Sequence, residues 1–277
     1  MGLTTSVQIC NLALAKVGVE GSGISSLSDS NENARKCNLF YEPCRDLIMS
    51  QHPWKFAIKR VVYDIEDYET DISAITAASP AVLTSSSHNI TEGRGLYVYN
   101  TGDDDWDDTV YYAYNVSGND IQMYKADMAT AFDGSSYTAA SSGKVYPAPL
   151  SEYNYEFSLP SDYLAFHQYL SNGDAHWEIQ DGWLQTDDAE PSLSYISLVT
   201  DVSKYSKWFI QALSQWIAVQ LAGAIAGKLE LRNVLLEEYY KITIPEARKH
   251  NAFEARPTYE GLRYDPDAKG SWQKAGR

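Results

Sequence analysis

The chain has 277 residues, of which 44% are hydrophobic, and its formal net charge is −15. This length and composition suit one large or two modest globular domains and exclude an intrinsically disordered chain. The longest apolar run, at 216–226, is too short to span a membrane and contains Gln220. The N-terminus has no secretory-signal pattern, so synthesis in the cytoplasm is expected.

The negative charge is concentrated in the middle of the sequence. Residues 62–202 carry three basic and 24 acidic side chains, a net charge of −21, whereas 1–61, 203–255 and 256–277 each carry +2. This segregation predicts a separate acidic domain with its own surface. Such a surface repels the DNA backbone, which excludes a nucleic-acid-binding role for it.

Two helices are predicted in the N-terminal part. Thr5 and Gln8 have the spacing of a capping box, and Gly18 ends the first helix. A second start at Asp29 is followed by apolar residues at spacings of three and four. Pro53 ends this helix, because the residue before a proline is disfavoured in helical geometry.

A β-rich region follows, from Trp54 to about Thr200. Short segments rich in Thr, Val, Ile and Tyr alternate there with turn residues, as at 96–99, 110–114 and 121–124. Strands so close in sequence pair as hairpins, which predicts a small antiparallel barrel or sandwich.

Helices return at Ser203, and a partner helix is predicted from about Lys228 to Phe253. The predicted buried face of that partner helix is Leu229, Leu235, Leu236, Tyr239 and Ile242. The predicted fold class is therefore α+β, with a helical bundle frame made of two N-terminal helices and a long C-terminal helix pair, an inserted antiparallel β domain and an extended C-terminal arm. The predicted bundle core comprises Leu12, Cys37, Tyr41, Cys44, Trp208, Leu213, Trp216, Ile217, Leu221 and Leu235.

The last segment, 256–277, differs from the rest of the chain. Its prolines and glycines forbid a long helix, and its aromatic residues have no periodicity, which favours an arm that becomes ordered on a partner. The predicted domains are a helical part at 1–61, an acidic β-rich domain at 62–202, a helix pair at 203–255 and this arm. We expect the arm to bind through residues of the kinds that anchor protein interfaces. These are Arg256, Pro257, Tyr259, Leu262, Arg263, Tyr264 and Trp272.

No motif for catalysis or for binding a metal or cofactor is found. Asp103, Asp105 and Asp107 match the first three positions of a calcium loop, but Asp108 stands where glycine is needed and Tyr114 where the bidentate glutamate belongs. These aspartates are interpreted as a solvated hairpin tip. The histidines lack metal-ligand spacing, and neither a phosphate loop nor a nucleophile elbow occurs. We therefore expect a protein that is not an enzyme and uses no cofactor.

Several segments resemble one family. They are ICNLALAKVG at 9–18, HPWKFA at 52–57, LPSDYL at 159–164 and VTD at 199–201, the last just before the helix pair. In this order and spacing they resemble head-to-tail adaptor proteins of tailed bacteriophages, the tail tubular protein A group of short-tailed phages. The resemblance covers about 7–60 and 155–255. Residues 72–147, through SPAV at 79–82, resemble a small β module inserted in many phage structural proteins.

The resemblance implies a structural virion protein of the neck or tail, made in the host bacterial cytoplasm. It implies a head-tail connector, a homo-oligomeric ring of about twelve copies, between the portal protein and the tail nozzle or tail tube protein. DNA would pass through the ring lumen during ejection without specific binding, and no membrane would be contacted. The arm from Arg256 onward would bind the portal.

Two other functions remain open from the sequence. One is a carbohydrate-binding tail component, in which Trp106 and neighbouring tyrosines form a sugar platform, with Trp177 and Trp183 as further candidate aromatics. The other is a hydrolase that uses a pair of carboxylates from the acidic domain.

Overall fold

The structure, a computed structural model, describes residues 5–19, 23–150, 152–171, 175–224 and 229–253. The chain divides into two compact units. Met1–Phe56 and Val199–Arg277 form one, called the helical unit below, and Ala57–Leu198 form the other, called the β unit. In sequence, the β unit is thus inserted between the two parts of the helical unit.

Helix α1 (Ser6–Val17) begins and ends where the sequence predicts. The Thr5 hydroxyl accepts a hydrogen bond from the Gln8 amide at 3.2 Å, and the Gln8 side chain accepts one from the Thr5 amide at 3.3 Å. Gly18 follows in the left-handed conformation, with φ of 72°, which ends the helix without steric strain. The capping-box prediction is confirmed.

Helix α2 (Glu32–Ser50) begins slightly later than predicted. Its N-cap is Asn31, whose side chain accepts a hydrogen bond from the Ala34 amide at 2.8 Å. Asp29 instead accepts hydrogen bonds from the amides of residues 25 and 26, at 2.9 and 3.0 Å. Asp29 therefore closes the preceding turn and does not cap the helix.

The C-terminal helices are α3 (Lys207–Ala224), α4 (Leu229–Glu238) and α5 (Ile244–Phe253). The predicted long partner helix is interrupted between α4 and α5 by a π-helical turn at residues 239–243. Pro245 favours this turn, because it has no N–H to donate four residues back. The Ile244 amide instead bonds to the Tyr239 carbonyl, five residues back.

The helices of this unit pack around α3, which contacts α1, α2, α4 and α5. An aromatic cluster lies at the start of α3. Trp54 and Phe209 are fully buried, with ring centroids 5.1 Å apart, and Phe56 lies 5.0 Å from Phe209. The Trp54 indole donates a hydrogen bond to the Ile48 carbonyl at 2.9 Å, so its one polar atom is satisfied in the core.

The described part of the β unit contains twelve strands. They are β1 (Ile58–Val62), β2 (Thr70–Ile75), β3 (Val82–Ser85), β4 (Gly95–Tyr99), β5 (Thr109–Ser117), β6 (Asp120–Tyr124), β7 (Lys144–Ala148), β8 (Tyr155–Ser158), β9 (Tyr163–Tyr169), β10 (Trp177–Gln180), β11 (Trp183–Thr186) and β12 (Ser192–Ser197). The predicted strand segments at 96–99, 110–114 and 121–124 lie in β4, β5 and β6 and are confirmed.

Six of these strands form a closed antiparallel barrel in the order β2-β3-β6-β5-β4-β7. Pairing of Thr70 with Val145 helps to close it. Its core is apolar, and the largest buried side chains are Trp106 and Tyr111. Closure leaves the barrel without free edges, which suits a small β domain in water.

The remaining strands form two three-stranded antiparallel sheets, in the orders β1-β12-β9 and β10-β11-β8. A second core is built from Tyr63, Phe157, Leu184, Leu193 and Tyr195, contributed by both sheets and the residue that follows β1. Tyr63 and Phe157 stack with ring centroids 5.2 Å apart.

The predicted fold class is wrong. The chain is not organised on a helical bundle frame, because the described residues are dominated by a six-stranded barrel and two further sheets, and only 34% of them are helical. The apolar pattern of the helices is the stronger signal in the sequence and biases the predicted fold class towards them. A helix repeats its apolar pattern over several turns, whereas ten of the twelve strands have only four to six residues and show alternation weakly.

Candidate functional site

Most residues predicted as a bundle core lie in the interior of the helical unit. The buried ones are Cys37, Tyr41, Cys44, Leu213, Ile217, Leu221 and Leu235, while Leu12 and Trp216 are half-buried. Trp208 is not part of this interior, because 36% of it is exposed. Its ring stacks on the His250 ring, with the two ring centroids 4.4 Å apart. The next residue, Phe209, is the one that faces the core. Consecutive residues of a helix are rotated by roughly 100°, so the Trp208 side chain points to the side of the helix and is partly exposed.

All seven residues of the predicted portal-binding arm lie outside the described residues. They are Arg256, Pro257, Tyr259, Leu262, Arg263, Tyr264 and Trp272. The arm therefore stays a prediction.

A row of exposed apolar side chains runs along α2. Leu39, Pro43 and Leu47 are all exposed, with Leu39 at 66%, and they follow one another at spacings of four. Residues at this spacing lie on one side of a helix, here away from the buried Tyr41 and Cys44. We call this row the α2 stripe. This spacing of four is visible in the sequence, although the apolar pattern of the buried face is stronger.

A second set of exposed apolar side chains lies between the start of α4 and the end of α5. This set, called the α4–α5 surface, is defined by exposure alone and comprises Leu229, Val234, Tyr240, Ile242 and Phe253, each more than half exposed. Its members are not all on one face, since residues two apart such as Tyr240 and Ile242 lie on different sides of a helix. Leu229 and Ile242 had been predicted as buried. The π turn explains Ile242, because its wider turn carries Thr243 and Ile244 inward instead. Leu229 is the first residue of α4, before the side chains that reach the core.

A polar network links three helices inside the helical unit. Lys16 of α1 donates a hydrogen bond to the Gln215 side chain of α3 at 2.5 Å. Gln215 is buried and in turn donates to the Glu238 carboxylate at 3.1 Å and to the Leu235 carbonyl at 3.3 Å. Burial lowers the pKa of Lys16, and the nearby Glu238 partly opposes this. These hydrogen bonds connect α1, α3 and α4.

The three cysteines are free and buried in α1 and α2. Burial raises the pKa of Cys44 to about 12. A hydrogen bond with Cys37 and burial together raise the pKa of Cys10. The same hydrogen bond with Cys10 lowers the pKa of Cys37, so only Cys10 and Cys44 are held protonated, and thiols held in this way are poor nucleophiles and poor metal ligands.

The acidic tip of the barrel holds its carboxylates in turn contacts. Asp107 accepts hydrogen bonds from the Thr101 amide at 2.8 Å and hydroxyl at 2.7 Å, and Asp103 accepts one from the Asp105 amide at 3.1 Å. Within the described ranges, no group of three or more His, Cys, Asp or Glu side chains is arranged to hold a metal ion.

The predicted sugar platform at Trp106 is wrong. Trp106 is fully buried in the barrel, its indole donates a hydrogen bond to the Thr138 carbonyl at 2.7 Å, and its ring lies 5.0 Å from Tyr137. The turn at 103–107 directs this side chain back into the barrel. Trp177 and Trp183 are half-buried.

No protein-family model matches the chain, and no curated protein matches it. Over the described ranges, no helix combines the length and the apolarity needed to cross a membrane. The exposed apolar and charged features described so far are the α2 stripe, the α4–α5 surface and the acidic β unit.

Proposed function

We propose that this protein is a structural subunit of the head-to-tail adaptor type, which assembles into a ring between the portal and the tail of a bacteriophage. The observation that carries the proposal is the exposed apolar side chains of the α2 stripe and the α4–α5 surface. The sequence resemblance supplies the kind of assembly, and these surfaces supply the contacts between neighbouring copies. The role is structural and involves no turnover of a substrate.

Exposed apolar residues are unevenly distributed between the two units. Of thirteen large hydrophobic residues that are exposed in the described ranges, eight lie in the helical unit, although fewer of the described residues belong to it. Single exposed apolar residues are normal on a protein surface, but groups of them mark interaction sites. The helical unit is therefore the part that we expect to contact other copies.

The magnitude of this contact favours a closed ring over a simple dimer. Burying the exposed half of one such side chain contributes about 1 kcal/mol. Association costs about 4–15 kcal/mol in lost freedom and side-chain ordering, so one pairwise contact of this kind is weak. In a ring each copy is held on two sides, and docking on a preformed portal orders the copies beforehand.

The charge distribution supports the same proposal. Residues 62–202 have a net charge of −21. A surface of this sign repels the phosphate backbone, as a subunit beside a DNA passage requires.

The test is the mass of the purified protein, alone and mixed with its cognate portal ring, by native mass spectrometry. We expect near-stoichiometric joining to the portal by the wild type, and loss of joining in Leu39→Glu/Leu47→Glu and in Val234→Glu/Ile242→Glu. The matched control is Val62→Glu, the same kind of change at a 74% exposed position of the β unit. A wild type that ignores the portal, or helical variants that join as well as the control, would remove the proposal.

A separate experiment addresses the arm. Truncation before Arg256 is expected to abolish joining to the portal while the truncated protein keeps its thermal stability. Normal joining by the truncated protein would refute the role of the arm but not that of the helical surfaces.

A further inference from the structure

A groove lies in the β unit, away from the surfaces proposed for assembly. Its volume is about 600 Å³, within the range of roughly 300–1,000 Å³ that is usual for ligand pockets. The side chains that line it include two aromatic residues, three polar residues and an exposed valine. These are Tyr68, Trp183, Asp67, Asn89, Ser158 and Val62.

Strand pairing brings two of these residues together on one sheet face. Trp183 begins β11 and lies directly opposite Ser158 of β8, and such directly opposite residues share a face of the sheet. Their neighbours Leu184 and Phe157 lie in the core on the other face. The guanidinium of Arg94 lies 4.7 Å from the centroid of the Trp183 ring, which holds the indole in place.

A hydrogen-bonded turn after β1 presents Asp67 and Tyr68 to the groove. The Asp64 side chain accepts a hydrogen bond from the Glu66 amide at 3.0 Å, and the amides of Asp67 and Tyr68 bond to the carbonyls three residues back at 3.1 and 2.9 Å. The Tyr68 ring packs edge-on against Phe157, with ring centroids 5.1 Å apart, whereas Asp67 is exposed. Because the turn is fixed by its own hydrogen bonds, a ligand needs to order little of it on binding.

The other two polar residues are also exposed, so a ligand in the groove can reach them. Asn89, with φ of 50°, stands in the loop between β3 and β4, between the buried residues His88 and Ile90. The His88 ring accepts a hydrogen bond from the Ile90 amide at 3.0 Å, which fixes this part of the loop. The Ser158 hydroxyl lies 3.5 Å from that of Tyr68 and has further capacity to bond to a ligand hydroxyl.

The composition of the groove favours one class of ligand. Asp67 is the one charged side chain among the described residues that line it, and residues 62–202 carry a net charge of −21, so phosphates, nucleotides and acidic sugars are repelled. A purely apolar ligand would displace water from the polar side chains without replacing its hydrogen bonds. A neutral sugar ring has hydroxyl groups around its rim and apolar C–H faces, and it therefore matches both kinds of lining.

We propose that this groove binds one neutral saccharide unit. A C–H face of the sugar ring lies against the two aromatic residues, Trp183 and Tyr68. Its hydroxyls form hydrogen bonds with the three polar residues, Asp67, Asn89 and Ser158. This activity goes beyond the assembly role and does not depend on it. Carbohydrate binding is thus placed at an accessible groove and not at the buried tryptophan of the barrel.

A neutral ligand suits the groove better than a cation does. Arg94 already lies over Trp183 and donates a hydrogen bond to the Asp181 carboxylate at 2.7 Å, so a ligand cation on the indole would share the ring with an existing positive charge. Asp67 is exposed to water, where a single ion pair contributes little. Hydroxyl groups, which both donate and accept, can bond to the carboxylate of Asp67 and to the amide of Asn89.

The test is binding of methyl α-D-glucopyranoside, methyl α-D-mannopyranoside and methyl β-D-galactopyranoside to the full chain, measured by saturation-transfer NMR and calorimetry. We expect at least one to bind with a Kd on the order of 1 mM, as small polar ligands do. Asp67→Ala is expected to weaken binding about tenfold, the loss of one hydrogen bond to a carboxylate. Asn89→Gly is expected to weaken it several-fold, and glycine adopts the φ of 50° at this position without strain.

Two further variants and one further probe make the test decisive. Glu66→Ala is the matched control, because Glu66 is the exposed neighbour of Asp67, carries the same charge and is outside the groove lining, and it keeps the wild-type affinity. Trp183→Leu removes the aromatic surface and is expected to weaken binding several-fold; if it does not fold by thermal melting, the two exposed positions, 67 and 89, decide.

The proposal is overturned if none of the glycosides binds, or if affinity is unchanged in Asp67→Ala or in Asn89→Gly. It is also overturned if Glu66→Ala weakens binding as much as Asp67→Ala does, because the loss would then be a general effect of charge. Binding of choline that disappears in Asp67→Ala would make this a cation site and equally overturn it.

Discussion

The packing of Trp106 against Gly134 allows a sharp test of the barrel core. A Cβ added at Gly134 would lie 2.4 Å from Cη2 and 3.2 Å from Cζ3 of Trp106, and 3.3 Å from Cβ of Ala81. Cη2 and Cζ3 belong to the six-membered ring of the indole, which is fully buried. Glycine is therefore required at 134 by the size of Trp106.

The expected magnitudes follow from this geometry. Gly134→Ala overpacks the core and is expected to cost about 1–3 kcal/mol in free energy of unfolding. Trp106→Leu leaves a cavity and is expected to cost about 3 kcal/mol. It also leaves the Thr138 carbonyl, now bonded to the indole at 2.7 Å, without its donor, which adds about 1 kcal/mol.

The two changes should compensate when combined. Trp106→Leu removes the ring atoms that the new methyl group would meet, so the double variant should be more stable than the sum of the single effects by about 0.5–3 kcal/mol. Urea unfolding followed by circular dichroism gives each free energy of unfolding. Trp208→Leu, at a half-exposed position of the helical unit, is the control and should combine additively with Gly134→Ala. Additive behaviour of Trp106→Leu with Gly134→Ala would refute this packing.

Three other outcomes are expected. Gly223→Ala, in α3 with only ordinary contact to its surroundings at 3.6 Å, should stabilise the protein by about 0.5–1 kcal/mol in urea unfolding, and a loss would contradict the helical assignment. Cys10, Cys37 and Cys44 should react with a thiol reagent such as DTNB only after unfolding, whereas rapid reaction of the native protein would show that they are accessible. The pKa of Glu156 is raised on folding above its ordinary value of 4.5, so the folded state keeps a proton that the unfolded chain loses. Stability should therefore fall as pH rises from about 4.5 through the folded pKa, and less so in Glu156→Gln; equal pH slopes in thermal melting of the two proteins would contradict this.

The local features of this fold could be predicted from the sequence. The Thr5–Gln8 capping box and Gly18 fixed both ends of α1, because each acts through hydrogen bonds to residues within one helical turn. The strands at 96–99 and 110–114 were found because their Tyr and Val content and the turn residues between them are contiguous. Such features are determined by neighbouring residues and do not depend on contacts with residues far away in the sequence.

The features that were missed depend on distant pairing. Closure of the barrel joins Thr70 to Val145, and no local pattern encodes that contact. Trp106 looked exposed because acidic residues surround it, yet its side chain enters a core formed by other strands. Glu156 is buried because β11 and Arg94, both far away in sequence, cover it. The Asp-Gly sequence at 181–182 did carry a local signal, which predicts the turn between β10 and β11.

Salt dependence provides a last test of the proposed assembly, because salt screens ionic contacts but does not weaken apolar ones. Contacts through the α2 stripe and the α4–α5 surface are apolar and are not weakened by ionic screening. The acidic segment at 62–202, with net charge −21, makes neighbouring copies repel one another. Raising the ionic strength from about 0.01 to 1 M shortens the Debye length from about 30 to 3 Å and screens that repulsion. Light scattering of the protein mixed with portal rings should therefore show equal or stronger association at high salt. Clearly weaker association at high salt would mean that ionic contacts, and not the apolar helical surfaces, hold the assembly together.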